Sequence, residues 1–158
     1  MNSHHTVAIG TWEGDKQQSI EYNSSIAVGI DCPRAKLRVS ILLDTIQEYQ
    51  VRYIFSDEEI SEAVNEAGLI TGARGIAYEG VLQRKPVIVV GEYGFGGLVT
   101  PDTLHEQYNN YFRGKINGIK AEYFSLERLE EEIRRGFALT FQELQMMSNQ
   151  TIRFLHNI

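Results

Sequence analysis

The sequence predicts an α/β fold of the Rossmann-like kind, three layers built on a mostly parallel sheet. Three observations carry that expectation. Short apolar runs alternate with stretches whose apolar residues recur at helical spacing, the pattern of right-handed βαβ crossovers. The run Pro86–Val90 is apolar throughout, as suits a parallel strand covered on both faces. Capping signals stand where apolar runs give way to helical periods. The chain has 158 residues, the length of one ordinary domain, and is read as a single unit over 1–158 with 1–25 irregular.

In chain order, Thr6–Gly10 is a short strand candidate. Gly14–Ser25 is polar and reads as a loop, and Ile26–Ile30 as a second strand. From Leu37 the period becomes helical: Leu37, Ile41, Leu42, Ile46 and Tyr49 share one stripe, with Arg38, Asp44, Gln47 and Glu48 opposite. Val51–Phe55 reads as a strand. Ser56-Asp57-Glu58-Glu59 fits a capping box that opens a helix with Ile60, Ala63, Val64 and Ala67 on one face. Gly68 is placed to end that helix with a positive φ. Leu69–Thr71 is a strand, Ile76–Gln83 a helix and Pro86–Val90 a strand. Thr100-Pro101 supplies a cap and a first-turn proline. Leu126, Leu129, Ile133 and Phe137 mark a later helix, and Leu144, Met147, Ile152 and Leu155 a final one. The charges of the Leu126 helix, from Glu127 to Arg135, read as a solvated face with i,i+4 support.

Hydrophobic residues make up 42% of the chain and charged ones 23%, a globular balance. No apolar run approaches the ~20 residues of a membrane span, and no signal peptide is evident, so a cytoplasmic location is expected. The net charge of −6 opposes broad nucleic-acid binding, which needs a basic face. One phosphate group is a different matter, since a helix N-terminus binds it with backbone N–H groups. Cys32 is the single cysteine; it excludes an internal disulfide and reads as a small apolar residue. His4, His5, His105 and His156 form no metal-ligand spacing, so no metal site and no cofactor is expected.

The chemistry concentrates in Ile70–Gln107. A strand ends at Thr71, Gly72 and Gly75 straddle a tight turn, and a helix starts near Gly75. In open α/β sheets ligands sit at the carboxyl ends of strands, where helix N-termini converge. Gly72 and Gly75 permit close backbone approach to a phosphate, and Arg74 offers a charge-assisted contact. Glu79, one helical turn on, is placed to accept bonds from ligand hydroxyls. The same residues also fit a plain strand–helix turn with a solvated acid, and they lack the G-x-G-x-x-G fingerprint of dinucleotide sites. The loop Glu92–Pro101 holds Tyr93, Gly94, Phe95, Gly96 and Gly97, which reads as a flap over a ligand, a structural excursion or a subunit contact.

Gly72, Gly75 and Glu79, then Lys85-Pro86 with Val87–Val90, then His105-Glu106-Gln107-Tyr108-Asn109-Asn110, together resemble the C-terminal donor-binding domain of GT-B glycosyltransferases. The likeness is greatest to transferases that use UDP-N-acetylglucosamine, and it covers Ile60–Ile133 as a pattern. It implies half of a GT-B fold, with Glu79 on the ribose, Gly72–Gly75 on the diphosphate and Gln107 on the sugar. The nucleotide sugar would be substrate, and hexosyl transfer would need an acceptor-binding domain. A partner chain or homo-oligomer would supply that domain, or the chain is a fragment, or catalysis has been lost. No catalytic residue is assigned.

Two other readings stand beside it. Gly72–Glu79 also resembles the G-G-x-G-T-x-x-E motif of nucleotide-5′-monophosphate phosphoribohydrolases, with Ala73 and Ile76 departing from it and Arg34 and Arg38 poor matches for that family's upstream basic pair. The last is a non-catalytic domain that binds a nucleotide sugar or mediates assembly.

Overall fold

The computed structural model of the chain describes residues 4–13, 16–115, 119–120 and 123–156. The first two strands, β1 (His4–Glu13) and β2 (Lys16–Asn23), form an antiparallel pair running from His4 opposite Asn23 to Glu13 opposite Lys16. The polar stretch expected to be a loop is therefore largely a strand. Antiparallel pairing is satisfied by main-chain bonds, so a ladder can form without an apolar run to announce it. Gly14 and Asp15 of that stretch lie outside the described residues.

The main sheet contains β3 (Ser25–Gly29), β4 (Gln50–Tyr53), β5 (Leu69–Gly72), β6 (Val87–Gly91) and β7 (Gly94–Leu98). Their order is β4-β3-β5-β6-β7, parallel except for the antiparallel edge strand β7. The expected three-layer, mostly parallel α/β architecture is what the chain adopts. Alternate residues of each central strand feed opposite cores. Ile26, Val28, Leu69, Ile88 and Val90 face helix α1 (Pro33–Ile46) and helix α5 (Leu126–Phe137), through Val39, Leu43, Leu129 and Ile133. Ala27, Ile70, Val87 and Val89 face the other layer. That layer holds α2 (Ile60–Glu66), α3 (Gly75–Leu82), α4 (Leu104–Asn109) and α6 (Phe141–His156).

Several local expectations change. Helix α1 starts at Pro33 and buries Ala35, Val39, Leu42 and Leu43, whereas Leu37 and Ile41 are 62% and 51% exposed. Helix α2 ends without help from Gly68: Ala67 turns extended (φ −81°, ψ 154°), and the Gly68 N–H donates to the Ser25 carbonyl at 2.9 Å. The segment Glu92–Pro101 is mostly strand β7 rather than a flap. Phe95 is 4% exposed and stacks on Phe124 with centroids 4.7 Å apart, which ties this segment to the core. The α5 charges are not all solvated either, because Glu132 is 1% exposed. No helix among the described residues is long and apolar enough to cross a membrane.

The capping box at Ser56–Glu59 forms, around a 3-10 turn over Asp57–Glu59. Glu59 Oε2 accepts from the Phe55 and Ser56 N–H groups, each at 3.1 Å. The Phe55 N–H bond is the chief reason its carboxyl is held below the ordinary carboxylate range, with Ser56 adding to it. Because the folded value is depressed, this contribution is full above the unfolded pKa and lost as pH falls through the folded one. Glu59→Gln is thus expected to melt below the parent at neutral pH, with the gap closing in acid; melting curves from pH 7 to pH 3 check this.

Candidate functional site

The chain leaves β3 in one direction to reach β4 and returns past it to reach β5, so the connection reverses between β3 and β5. Crevices of open α/β sheets form at such a point, beyond the carboxyl ends of the strands. Here the strand ends are bare. Gly29 and Gly72 sit opposite each other in register, and Gly91 closes β6 beside them. A Cβ on Gly72 would lie 2.4 Å from the Gly29 carbonyl oxygen and 2.7 Å from Ile76 Cγ2. The absent side chain lets the first turn of α3 settle directly on the strand ends.

The turn itself depends on Arg74. It has φ 55° and ψ −124°, a conformation that L residues avoid, whereas neither Gly72 nor Gly75 has a positive φ. Such a residue costs about 1–3 kcal/mol and persists only where its surroundings hold it. The holding contacts are clear. Its N–H donates to the Phe112 carbonyl at 3.0 Å, and its own carbonyl accepts from the Tyr78 N–H at 2.9 Å. Its guanidinium pairs with Glu92 at the turn between β6 and β7.

Around Arg74 lies a cleft of about 350 Å³, lined by Gly29 and Asp31 after β3, Ser56 and Asp57 after β4, and Ala73–Ile76 after β5. A second space of about 260 Å³ shares Asp31 and Arg74 and extends to Cys32, Gly91 and Glu92. The first N–H groups of α3 open at Gly75 and have no partners within the helix. The crevice therefore offers N–H groups and a guanidinium together with two carboxylates, and the charge of Asp31 reaches Arg74.

Glu92 organises the guanidinium groups. Arg113 Nε lies 3.4 Å from the Glu92 oxygen that Arg74 uses, and Arg113 Nη1 donates to the Tyr93 hydroxyl at 3.0 Å. The Arg74 hydrogen bond is the main reason the Glu92 carboxyl is held below the ordinary carboxylate range, and the charge of Arg113 adds to it. Two guanidinium groups thus share one carboxylate, and the charge of Asp31 also acts on Arg74. Among the described residues no cluster of three His, Cys, Asp or Glu side chains could hold a metal ion.

Of the sequence-derived site, Arg74 and Gly75 line the cleft, and Gly72 lies beneath it at the end of β5 without lining it. Glu79, a turn further along α3, is absent from the cleft's lining. Gln107 is 5% exposed, and its Nε2 donates to the Gly96 carbonyl at 2.9 Å. It braces α4 against β7 and has no amide free for a sugar. Of the presumed flap, Tyr93 stands at the turn, while Gly94, Phe95, Gly96 and Gly97 are strand. Sequence reasoning missed Asp31, Asp57, Glu92 and Arg113 as site residues. The available signal was positional, since each follows the end of a strand or a turn that the crevice needs.

No family model and no curated protein matches the chain. Among solved structures, the chain is similar to a signal receiver domain of a two-component signal transduction histidine kinase from Clostridium thermocellum. That similarity has a TM-score of 0.43 and 15% identity, over 74% of this chain and 99% of the other. The resemblance to glycosyltransferase donor domains is corrected accordingly. No glycosyltransferase is found in these comparisons, and the Gln107 amide on which the sugar contact depended is spent inside the fold. The nucleotide-sugar and UDP readings fall with it, and nothing found supports the phosphoribohydrolase or the non-catalytic nucleotide-sugar alternative.

Proposed function

We infer that this domain binds a small phosphate-bearing polyol in the cleft between β3 and β5. The observation that supports this most is the cleft's mixed lining, in which Arg74 and the start of α3 stand together with the carboxylates of Asp31 and Asp57. A phosphate at Arg74 meets a planar guanidinium and the positive end of a helix. Hydroxyl groups of the same ligand donate to the two carboxylates, which are acceptors only. The ligand competes with Glu92 for the Arg74 guanidinium, so binding exchanges an exposed ion pair for a contact with phosphate. The expected setting is the cytoplasm, where such metabolites are abundant.

Arg74→Gly tests this directly, because it removes the guanidinium and relaxes a backbone that glycine adopts readily. The unliganded variant is expected to melt at or above the parent temperature. In the parent, glycerol 3-phosphate at about a hundred times its Kd should add about 2.7 kcal/mol, or roughly 5–11 °C for a chain of this length. The variant should lose that shift. Equal shifts in parent and variant would contradict the assignment, as would no shift in either.

A further inference from the structure

Arg74 and Gly75 also border a further cavity, of about 430 Å³. Its walls come from three places that are remote in sequence: the first turn of α3 with Gly75 and Tyr78, the segment Tyr108–Arg113, and Leu155 near the end of α6. The rings of Tyr78, Tyr108 and Phe112 stand 6.3 to 6.4 Å apart pairwise, with Phe112 edge-on to both tyrosines. Tyr108 is backed in turn by Phe154, at 4.7 Å. The box is therefore built before any ligand arrives, which reduces the ordering cost of binding.

Two arginines border the cavity, both paired with Glu92. Its ionisable side chains other than tyrosine are Arg74 and Arg113, and no carboxylate lines it. Arg113 is itself fixed, with its guanidinium over the Tyr111 ring at 5.3 Å and the Tyr93 ring at 5.6 Å. Tyr78 contributes its ring, while its hydroxyl is buried away from the cavity. Ordinary packing explains an aromatic cluster. It does not explain why an open apolar space is left beside Arg74 and Arg113.

We propose that this cavity is an aromatic subsite, which takes the planar ring of an anionic ligand whose charged group sits at Arg74. The ring lies among Tyr78, Tyr108 and Tyr111, where offset and edge-on contacts with other rings are favourable. The anion lies at the shared wall, Arg74 and Gly75, which border both this cavity and the phosphate cleft. The subsite rests on the phosphate reading only for the identity of the anion, because the ring preference is a property of this cavity. The ligand class is thereby narrowed from any phosphorylated polyol to one that also carries an aromatic ring.

Titration calorimetry with inorganic phosphate, phenyl phosphate and phenol separates the parts. Phenyl phosphate is expected to bind at least tenfold more tightly than inorganic phosphate, and phenol only weakly. Leu155→Glu places a carboxylate on the wall at a residue 40% exposed, and Tyr111→Ala trims one 68% exposed, so neither disturbs the core. Both variants should bring the phenyl phosphate to phosphate ratio close to one, and Tyr111→Ala should do so with inorganic phosphate affinity as in the parent. A ratio near one in the parent would overturn the subsite, and so would a high ratio that neither variant lowers. Loss of phosphate binding alone, with the aryl preference intact and sensitive to Leu155→Glu, would uphold the subsite and count against the cleft.

Discussion

Gly72→Val is expected to be among the most damaging single changes in this chain. Its Cβ would meet the Gly29 carbonyl oxygen at 2.4 Å and Ile76 Cγ2 at 2.7 Å. The first of these is main chain of the paired strand and cannot rotate away. Overfilling a packed site costs about 1–3 kcal/mol, and a backbone obstacle puts this case at the upper end. A loss of about 3 kcal/mol lowers the melting temperature by roughly 6–12 °C for a domain of this size. Gly75→Ala is the control. The nearest atom to its Cβ is Ile60 Cδ1 at 3.9 Å, and replacing glycine by alanine within a helix gains about 0.5–1 kcal/mol. Thermal or urea unfolding of the two variants should therefore move in opposite directions, although the glycines stand three positions apart.

The second large effect concerns a carboxylate. Glu132 is 1% exposed, and its oxygens are met by Arg128 Nη2 at 3.2 Å and Arg135 Nη1 at 2.8 Å. Arg128→Ala with Arg135→Ala leaves that charge buried and unpaired. Breaking a buried pair costs about 3–5 kcal/mol; the half-exposed arginines let water approach, so about 2–3 kcal/mol is expected here. Adding Glu132→Met should restore most of the loss, because an apolar side chain of similar size has no charge to desolvate. Urea midpoints of the double and triple variants check the order. A triple variant no more stable than the double would mean that the carboxylate is not the cause.

The parts of the fold that could be read from sequence are those with side-chain periodicity. Strands β3, β4, β5 and β6 carry apolar runs, and their alternation with helical stretches announces the parallel sheet. Strand β7 could not be read this way: its sequence is Gly-Phe-Gly-Gly-Leu, and its identity comes from folding back onto β6 and seating Phe95 in the core. The α1 stripe was displaced because Leu37 and Ile41 are exposed while Ala35 and Val39 are buried, so composition pointed to the wrong face. Glu132 read as solvated because nothing in the α5 pattern distinguishes it from Glu130 or Glu131.

The site divides in the same way. Gly72, Arg74 and Gly75 are contiguous and could be seen, yet the residue with the unusual backbone is the arginine between the glycines. Asp31, Asp57, Glu92 and Arg113 come from four separate connections, and only the strand order assembles them. Gln107 was misassigned because an amide bracing Gly96 and an amide awaiting a sugar have the same sequence signature. Its role is decided by burial, which a single sequence does not encode.

The most direct test of the cleft is a map of amide shifts in ¹⁵N-labelled protein titrated with glycerol 3-phosphate. Saturable changes are expected at Ala73–Ala77, with smaller ones at Asp31, Ser56 and Asp57. Changes confined to other surfaces, or none at millimolar ligand, would contradict a phosphate site at Arg74.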